Sequence, residues 1–510
     1  RMEPQEETLR RLRSSFLAGR TRGAKFRFAQ LEALARFLEE NKKEISQSLK
    51  MDLSKPQFET ELSELSLVRS EINLALSSLG AWMKDEFVAK NLATTFDTAF
   101  IRKDPFGVVL IIGPWNYPVH LTLLPLVGAI AAGNCVIIKP SEISQNTERL
   151  LAEHLPRYLD KDCFAVLCAG AEDTSRLLEN KFDYIFFTGN AHVGKIVMAA
   201  AAKHLTPVTL ELGGKNPCYV DEECDISNAA RRISWSRYFN AGQTCLAPDY
   251  VLCTERTRDR LVKALKATVR EFYGQDPKQS PDLGRIINDR HFRRVSALLS
   301  SGTIVTGGQT DEAEKYIAPT ILIDVKESDP VMQEEIFGPV LPVMTIGGLD
   351  AALEFINKRE RPLAAYVYSS KSQVSQIWGN SSKSQVSQIW GYSSKSQVSR
   401  IWGYSSKSQV SRIWGYSSKS QVSQIWGYSS KSQVVDRFLE GTSSGGFCAN
   451  DGLLHSTLIS LPFGGIGHSG MGKYHGKFSF DTFSHHRACL LRSDGREKLN
   501  EIRYPPYTEQ

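Results

Sequence analysis

Apolar residues recur at helical spacing through the first fifty positions: Leu9, Leu12 and Phe16, then Phe28, Leu31, Leu34, Phe37 and Leu38. Such stripes predict amphipathic helices over 7–50. From Gly107 the pattern changes to short, unbroken apolar runs at 108–112, 135–138, 164–167 and 184–187. These read as strands buried on both faces. Helical stretches at 146–159 and 192–204 lie between them, so the segment predicts a doubly wound parallel sheet. A second alternation runs from 210 to 368, with a strand at 250–253, a helix over 256–273 and a strand at 303–305, and predicts a second α/β unit. The apolar region 106–138 is interrupted by Gly113, Pro114, Pro118 and Pro125 and carries Asn116 and His120. It reads as strand, loop and buried helix rather than as a membrane span.

One segment breaks the alternation. Residues 369–428 hold five near-identical twelve-residue copies of Ser-Ser-Lys-Ser-Gln-Val-Ser-Gln-Ile-Trp-Gly-Asn, and a sixth partial copy runs into Val435. Five of the eight tryptophans fall here: Trp378, Trp390, Trp402, Trp414 and Trp426. Deleting the segment joins Ala-Tyr-Val-Tyr-Ser-Ser-Lys-Ser-Gln-Val to Val-Asp-Arg-Phe-Leu, a strand-to-helix passage. The repeat therefore reads as an in-register expansion of one surface connection, expected to be mobile. A docking arm, or a short β-type solenoid, stays open as the other reading.

With 510 residues, 41% hydrophobic and 23% charged, the chain has the make-up of an ordinary soluble globular protein of two or three domains. Its net charge of +6 would suggest a polyanion partner. The repeat alone contributes +7, from five Lys and two Arg without an acidic residue, which leaves −1 for the rest. A nucleic-acid partner is not expected. Nine scattered cysteines, with no Cys-x-x-Cys and no metal-ligand spacing, point to reduced thiols in a cytoplasmic compartment and to no metal. The opening Arg-Met-Glu-Pro-Gln-Glu-Glu lacks the apolar core of a signal peptide.

Two residues stand in unusual local settings. Glu211 opens Glu-Leu-Gly-Gly-Lys-Asn-Pro (211–217), and Cys245 closes Asn-Ala-Gly-Gln-Thr-Cys (240–245). A cysteine after a glycine-containing turn, with a carboxylate in its own glycine setting, suggests a nucleophile and a base. Such a pair attacks a carbonyl with sulfur and then turns water on the thioester. An ordinary thiol, with a pKa of about 8.5, is mostly protonated at neutral pH, so the site must help it ionise. The other eight cysteines lack this context and read as structural.

Further motifs stand in order: Pro-Trp-Asn-Tyr-Pro (114–118), Lys139-Pro-Ser-Glu142, Phe-Thr-Gly-Asn (187–190), Glu-Glu-Ile-Phe-Gly-Pro (334–339) and Leu-Pro-Phe-Gly-Gly (461–465). Together they resemble aldehyde dehydrogenase family 3, and the tail at 476–491 resembles its B branch. The resemblance runs from about Glu7 to about Pro506, interrupted by the repeat. It implies an aldehyde dehydrogenase-like α/β fold: two doubly wound domains, one cofactor-binding and one catalytic, plus a small β bridging arm. The implied division is 1–95 and 107–210 for NAD(P) binding, 211–368 and 429–474 for catalysis, and 96–106 and 475–510 for the arm. The implied activity is NAD- or NADP-dependent oxidation of medium- or long-chain aliphatic and aromatic aldehydes to acids.

In that scheme Cys245 is the nucleophile, Glu211 the base for thioester hydrolysis, and Asn116 an oxyanion donor together with the Cys245 backbone N–H. Lys139 holds the adenosine ribose hydroxyls with Glu142 nearby, and Gly189 and Gly194 form the pyrophosphate turn. Glu335 grips the nicotinamide ribose, and Phe337 packs against that end of the cofactor. Glu334 is expected to be a solvent or structural carboxylate. A homodimer is implied through the arm at 96–106 and a C-terminal strand near 478–491. Members of the B branch end in a Cys-a-a-X lipidation signal, whereas this chain ends Arg-Tyr-Pro-Pro-Tyr-Thr-Glu-Gln with its last cysteine at Cys489. Membrane association is therefore not supported by this C-terminus. A non-catalytic interaction protein presenting the tryptophan-rich repeat is the alternative reading.

Overall fold

A computed structural model describes residues 4–370, 433–492, 494–495 and 497–507. Apart from Ser369 and Ser370, the repeat lies outside the described residues. The apolar stripes at the start of the chain form the helices Pro4–Leu17, Ala24–Glu40 and Lys42–Leu53. Leu12, Leu31, Leu34, Phe37 and Leu49 carry their buried faces. Helices of this length are marginal alone, and their packing supplies the stability. They share one core with a six-stranded sheet. Its spatial order is Gly470–Met471, Val208–Glu211, Tyr184–Thr188, Val108–Ile112, Cys135–Lys139 and Phe164–Val166. The last five are parallel, and Gly470–Met471 closes one edge antiparallel.

Between two central strands, helix His120–Ala132 is buried from Leu121 to its end. The apolar stretch is thus strand, loop, buried helix and strand. Among the described residues no helix is long and apolar enough to cross a membrane.

The second sheet has seven strands, in the order Thr303–Thr306, Thr320–Ile323, Val340–Thr345, Tyr250–Cys253, Pro217–Val220, Ala364–Tyr368 and Gly446–Ala449. All are parallel except the first. Alternate residues enter opposite cores: Cys218 and Val251 on one face, Tyr219, Tyr250 and Leu252 on the other. The chain passes from the first sheet at Glu211 to the second at Pro217 through residues 212–216. The carboxyl edge of one sheet therefore meets the amino edge of the other.

Thr98–Pro105 pairs antiparallel with Ser484–Leu491, from Thr98↔Leu491 to Pro105↔Ser484, and Glu86–Phe87 adds a third short strand. The C-terminal strand begins later than residue 478. Residues Lys477–Thr482 form a short helix instead, because Phe480 and Phe483, three apart, both enter the first core. Asn134, just past helix His120–Ala132, donates to the Phe483 carbonyl at 2.9 Å.

The junction before the repeat is well tied. The Ser369 N–H donates to Asn450 Oδ1 at 2.8 Å, and its hydroxyl donates to Asp221 Oδ2 at 3.0 Å. Since the copies are in register, excising 369–428 sets Ser429 in the place of Ser369. Each doubling of a connection's length costs only about 0.6 kcal/mol of closure entropy. The excised protein is expected to unfold thermally at the midpoint of the parent, followed by circular dichroism. A clearly lower midpoint would make the repeat part of the folded core.

Candidate active site

The carboxyl edge of the first sheet collects residues from four neighbouring strands. Asn116 lies in the loop after Val108–Ile112, Lys139 ends its strand, Gly189 follows Thr188, and Glu211 ends Val208–Glu211. Ligands of open α/β sheets bind outside such carboxyl ends. From the other side, Cys245 precedes strand Tyr250–Cys253, and Glu335 and Phe337 precede Val340–Thr345. Glu142 follows Lys139, whose ammonium donates to Glu142 Oε2 and to the Ala169 carbonyl, both at 2.8 Å. The Gly189 N–H donates to the Glu211 carbonyl at 3.0 Å, and Gly194, in helix Ala191–Ala202, faces Leu212. The expected cofactor and catalytic residues therefore line one continuous seam.

The turn before Cys245 is conformationally costly. Asn240 and Ala241 take left-handed backbone angles, with φ of 54° and 53°, and Gly242 follows at 77°. Such conformations cost of order 1–3 kcal/mol each for residues other than glycine. At Gly242 a Cβ would also collide with the Gly338 carbonyl. Side-chain amides hold the turn. Asn240 Nδ2 donates to the carbonyls of Asn116 at 2.9 Å and Gln243 at 3.1 Å, while the Asn240 N–H reaches Glu59 Oε2 at 3.0 Å. Gln243 donates to the Arg285 carbonyl at 2.9 Å and accepts from the Ile287 N–H at 3.0 Å. Asn116 Nδ2 donates to the Gln243 carbonyl at 3.0 Å, which uses one of its two amide protons and orients the other. Behind the Cys245 side chain, Asn216 Nδ2 donates to the carbonyls of Cys245 at 2.7 Å and Ala247 at 3.0 Å.

The electrostatics are dominated by burial. Cys245 packs against the core that contains Tyr117, Leu121, Leu246 and Leu453. Burial pushes its thiol up to about 12, helped by the carboxylates of Glu335 and Glu211, while the N–H groups of Cys245 and Leu246 act the other way. Glu211 is buried, and neither of its carboxylate oxygens accepts a hydrogen bond from a described residue. Burial holds its carboxyl well above the ordinary range. Glu335 is pushed up to about 8, mainly by burial and then by Asp249, with the Gly214 N–H opposing. Its carboxylate lies so close to Gly213 that a Cβ there would collide with it. Phe337 meets Trp115 edge-on, with centroids 5.3 Å apart.

Sequence reasoning missed the groups that hold this seam. Asp249 is gripped by Lys215 at 2.6 Å and Arg237 at 3.0 Å, and it accepts the Ile336 N–H at 3.2 Å. Lys215 also donates to the carbonyls of Val331 at 2.8 Å and Glu334 at 2.9 Å, and Arg237 Nε donates to that of Gly338 at 3.1 Å. Both flanks of Glu335–Phe337 are thereby fixed. Glu334 itself is exposed and pairs with Arg294 at 3.3 Å. Lys215, Asn216 and Gln243 sit inside motifs that were legible; Arg237 and Asp249 carry no local signal.

The sequence profile of the aldehyde dehydrogenase family matches residues 7–425. The chain belongs to the aldehyde dehydrogenase family. It is 57% identical over 505 residues to human aldehyde dehydrogenase family 3 member B1, covering 99% of this chain and 95% of that protein. Over 504 residues it is 48% identical to family 3 member A2 of Pongo abelii, covering 99% and 92%. The substrate-bound Staphylococcus aureus AldH structure superposes with a TM-score of 0.83 at 38% identity, over 96% of this chain and 95% of that one. The expected membership of family 3, the fold and the enzyme class all hold. This is an NAD(P)-dependent aldehyde dehydrogenase acting on aldehyde substrates.

In this aldehyde dehydrogenase the raised thiol has a measurable consequence. Without cofactor, iodoacetamide labelling of Cys245, followed by peptide mass spectrometry, is expected to keep accelerating beyond about pH 9, whereas an ordinary cysteine levels near 8.5. Levelling at or below that value would mean that the two N–H groups outweigh burial.

Proposed function

We propose that Cys245 releases its thiol proton to solvent and attacks the aldehyde carbonyl as thiolate, and that the second amide proton of Asn116 and the Cys245 backbone N–H receive the developing oxyanion. Bound NAD(P) supplies the acceptor for the hydride that leaves the thiohemiacetal carbon. A thioester remains on Cys245. Glu211, as carboxylate, takes a proton from the water that attacks it, and the acid leaves with the thiol restored. The observation that carries this reading is Glu211 itself: a buried carboxylate with no donor among the described residues, close enough to Cys245 to disfavour its thiolate.

The seam fits the cofactor. Lys139 keeps a third proton for a ribose hydroxyl beside Glu142, Gly189 and Gly194 flank the start of a helix, and Glu335 with Phe337 stands at the nicotinamide end. The apolar core of Tyr117, Leu121, Leu246 and Leu453 against which Cys245 packs suits medium- or long-chain aliphatic and aromatic aldehydes. We further propose the domain division at 107–210 and 211–368 given above, with strand Gly470–Met471 crossing it to complete the first sheet. A homodimer through the arm is supported by exposed Phe87, Leu92 and Leu491. A cytoplasmic setting is supported by free thiols at all nine cysteines.

Cys245→Ala is expected to abolish NAD(P)H formation while cofactor binding, followed by fluorescence titration, stays near normal. Asn116→Ala should cost roughly 2–4 kcal/mol in the acylation barrier, read from single-turnover kinetics. Glu211→Gln should give a burst of NAD(P)H and then slow turnover. Because a raised carboxyl is a base only once ionised, the steady-state rate of the parent should climb with pH well above the ordinary glutamate value of about 4.3. That limb should vanish in Glu211→Gln; its persistence would assign it to another group.

A further inference from the structure

Lys55 and Glu64 lie far from every motif, and both side chains are wholly shielded from solvent. Their ammonium and carboxylate are paired directly. A buried ion pair recovers its desolvation cost only when every remaining donor and acceptor is also satisfied, so it is weak evidence for stability. Here the satisfaction is directed at one loop. Lys55 Nζ donates to the Asn116 carbonyl at 3.0 Å and sits 4.2 Å from the centre of the Tyr117 ring. The other Glu64 oxygen accepts the N–H groups of Val119 at 3.1 Å and His120 at 2.8 Å, at the start of helix His120–Ala132. Four of five consecutive residues around the Asn116 amide are thus held from one buried pair.

Capping that helix needs a carboxylate but no lysine. What the lysine adds is a donor to the carbonyl of Asn116, which also accepts from Asn240 Nδ2 at 2.9 Å. Two donors on one carbonyl fix the plane of that peptide. The direction of the Asn116 side chain follows from it, since only one proton of the amide is spent on Gln243.

We propose that Lys55 and Glu64 are positioning residues for the oxyanion site, holding the 116–120 segment so that the free Asn116 amide proton points at the carbonyl under attack by Cys245. This rests on the reading of Asn116 as an oxyanion donor. Both side chains are wholly shielded from solvent, so Lys55 and Glu64 act only through the loop.

The test is a double-mutant cycle. Lys55→Met keeps the length of the side chain and removes its donors. With the parent Asn116, it is expected to lower kcat/KM by about tenfold to a hundredfold, the scale of a small misplacement of a catalytic group. NAD(P) affinity should be unchanged. With Asn116→Ala already present, Lys55→Met should add nothing to the loss, because the group it positions is gone. Should Lys55→Met fail to fold, Lys55→Met/Glu64→Gln is read in its place: it buries no unpaired charge and keeps an oxygen for Val119 and His120. Undiminished additivity with Asn116→Ala, or a kcat/KM unchanged from the parent in a folded variant, overturns the positioning role. If Asn116→Ala alone leaves kcat/KM unchanged, the oxyanion reading fails instead, and the proposal falls with it.

Discussion

Asn240, Ala241 and Gly242 turn the chain through left-handed backbone space, and the geometry around Cys245 depends on their being held there. Two of the three have side chains that disfavour it. The restraint comes from separate parts of the sequence: Glu59 from the N-terminal helices, Asn116 from the loop after a strand of the first sheet, and Arg285 and Ile287 from the chain between two strands of the second sheet. No single unit contains the complete clamp. Cys245 is therefore positioned only once both sheets have docked, and the cost of the turn falls on the seam between them.

Around that turn, charge is arranged in two zones. The inner groups, Cys245, Glu211 and Glu335, are all pushed by burial towards their neutral forms. Surrounding them, charged side chains are paired: Lys55 with Glu64, and Lys215 and Arg237 with Asp249. A low local dielectric strengthens every directed hydrogen bond within it and makes an unpaired charge expensive. In the proposed mechanism water must lose a proton as it attacks the thioester, and a carboxylate of raised pKa is well matched to that transfer near neutral pH.

The residues given chemical roles in the proposed mechanism were legible because each needs a particular residue type in a short, fixed setting: cysteine after a glycine turn, glutamate before a glycine pair, asparagine between prolines. The strands were legible because burial on both faces leaves unbroken apolar runs. The groups that hold the site were not, since their partners lie far along the chain. Lys55 meets Asn116 61 positions away, Arg237 meets Gly338 101 away, and Asp249 meets Ile336 87 away. No local pattern encodes such pairings. The C-terminal helix was missed for a related reason: a run of Phe, Ser and His suits a strand equally well, and only the core waiting for Phe480 and Phe483 decides it.

Helix His120–Ala132 joins these regions physically. Glu64 holds its first turn beside Asn116, and Asn134 just beyond its end grips both the Gly107 N–H at 3.0 Å and the Phe483 carbonyl at the root of the arm. Thirteen helical residues span about 20 Å at 1.5 Å each. From Leu121 onward the helix is packed on every side, and close-packed interiors leave little room for one element to slide independently. The segments around Asn116 and Phe483 are consequently tied to the two ends of one buried helix. An association of subunits through the arm would then stabilise a geometry that the single chain already holds.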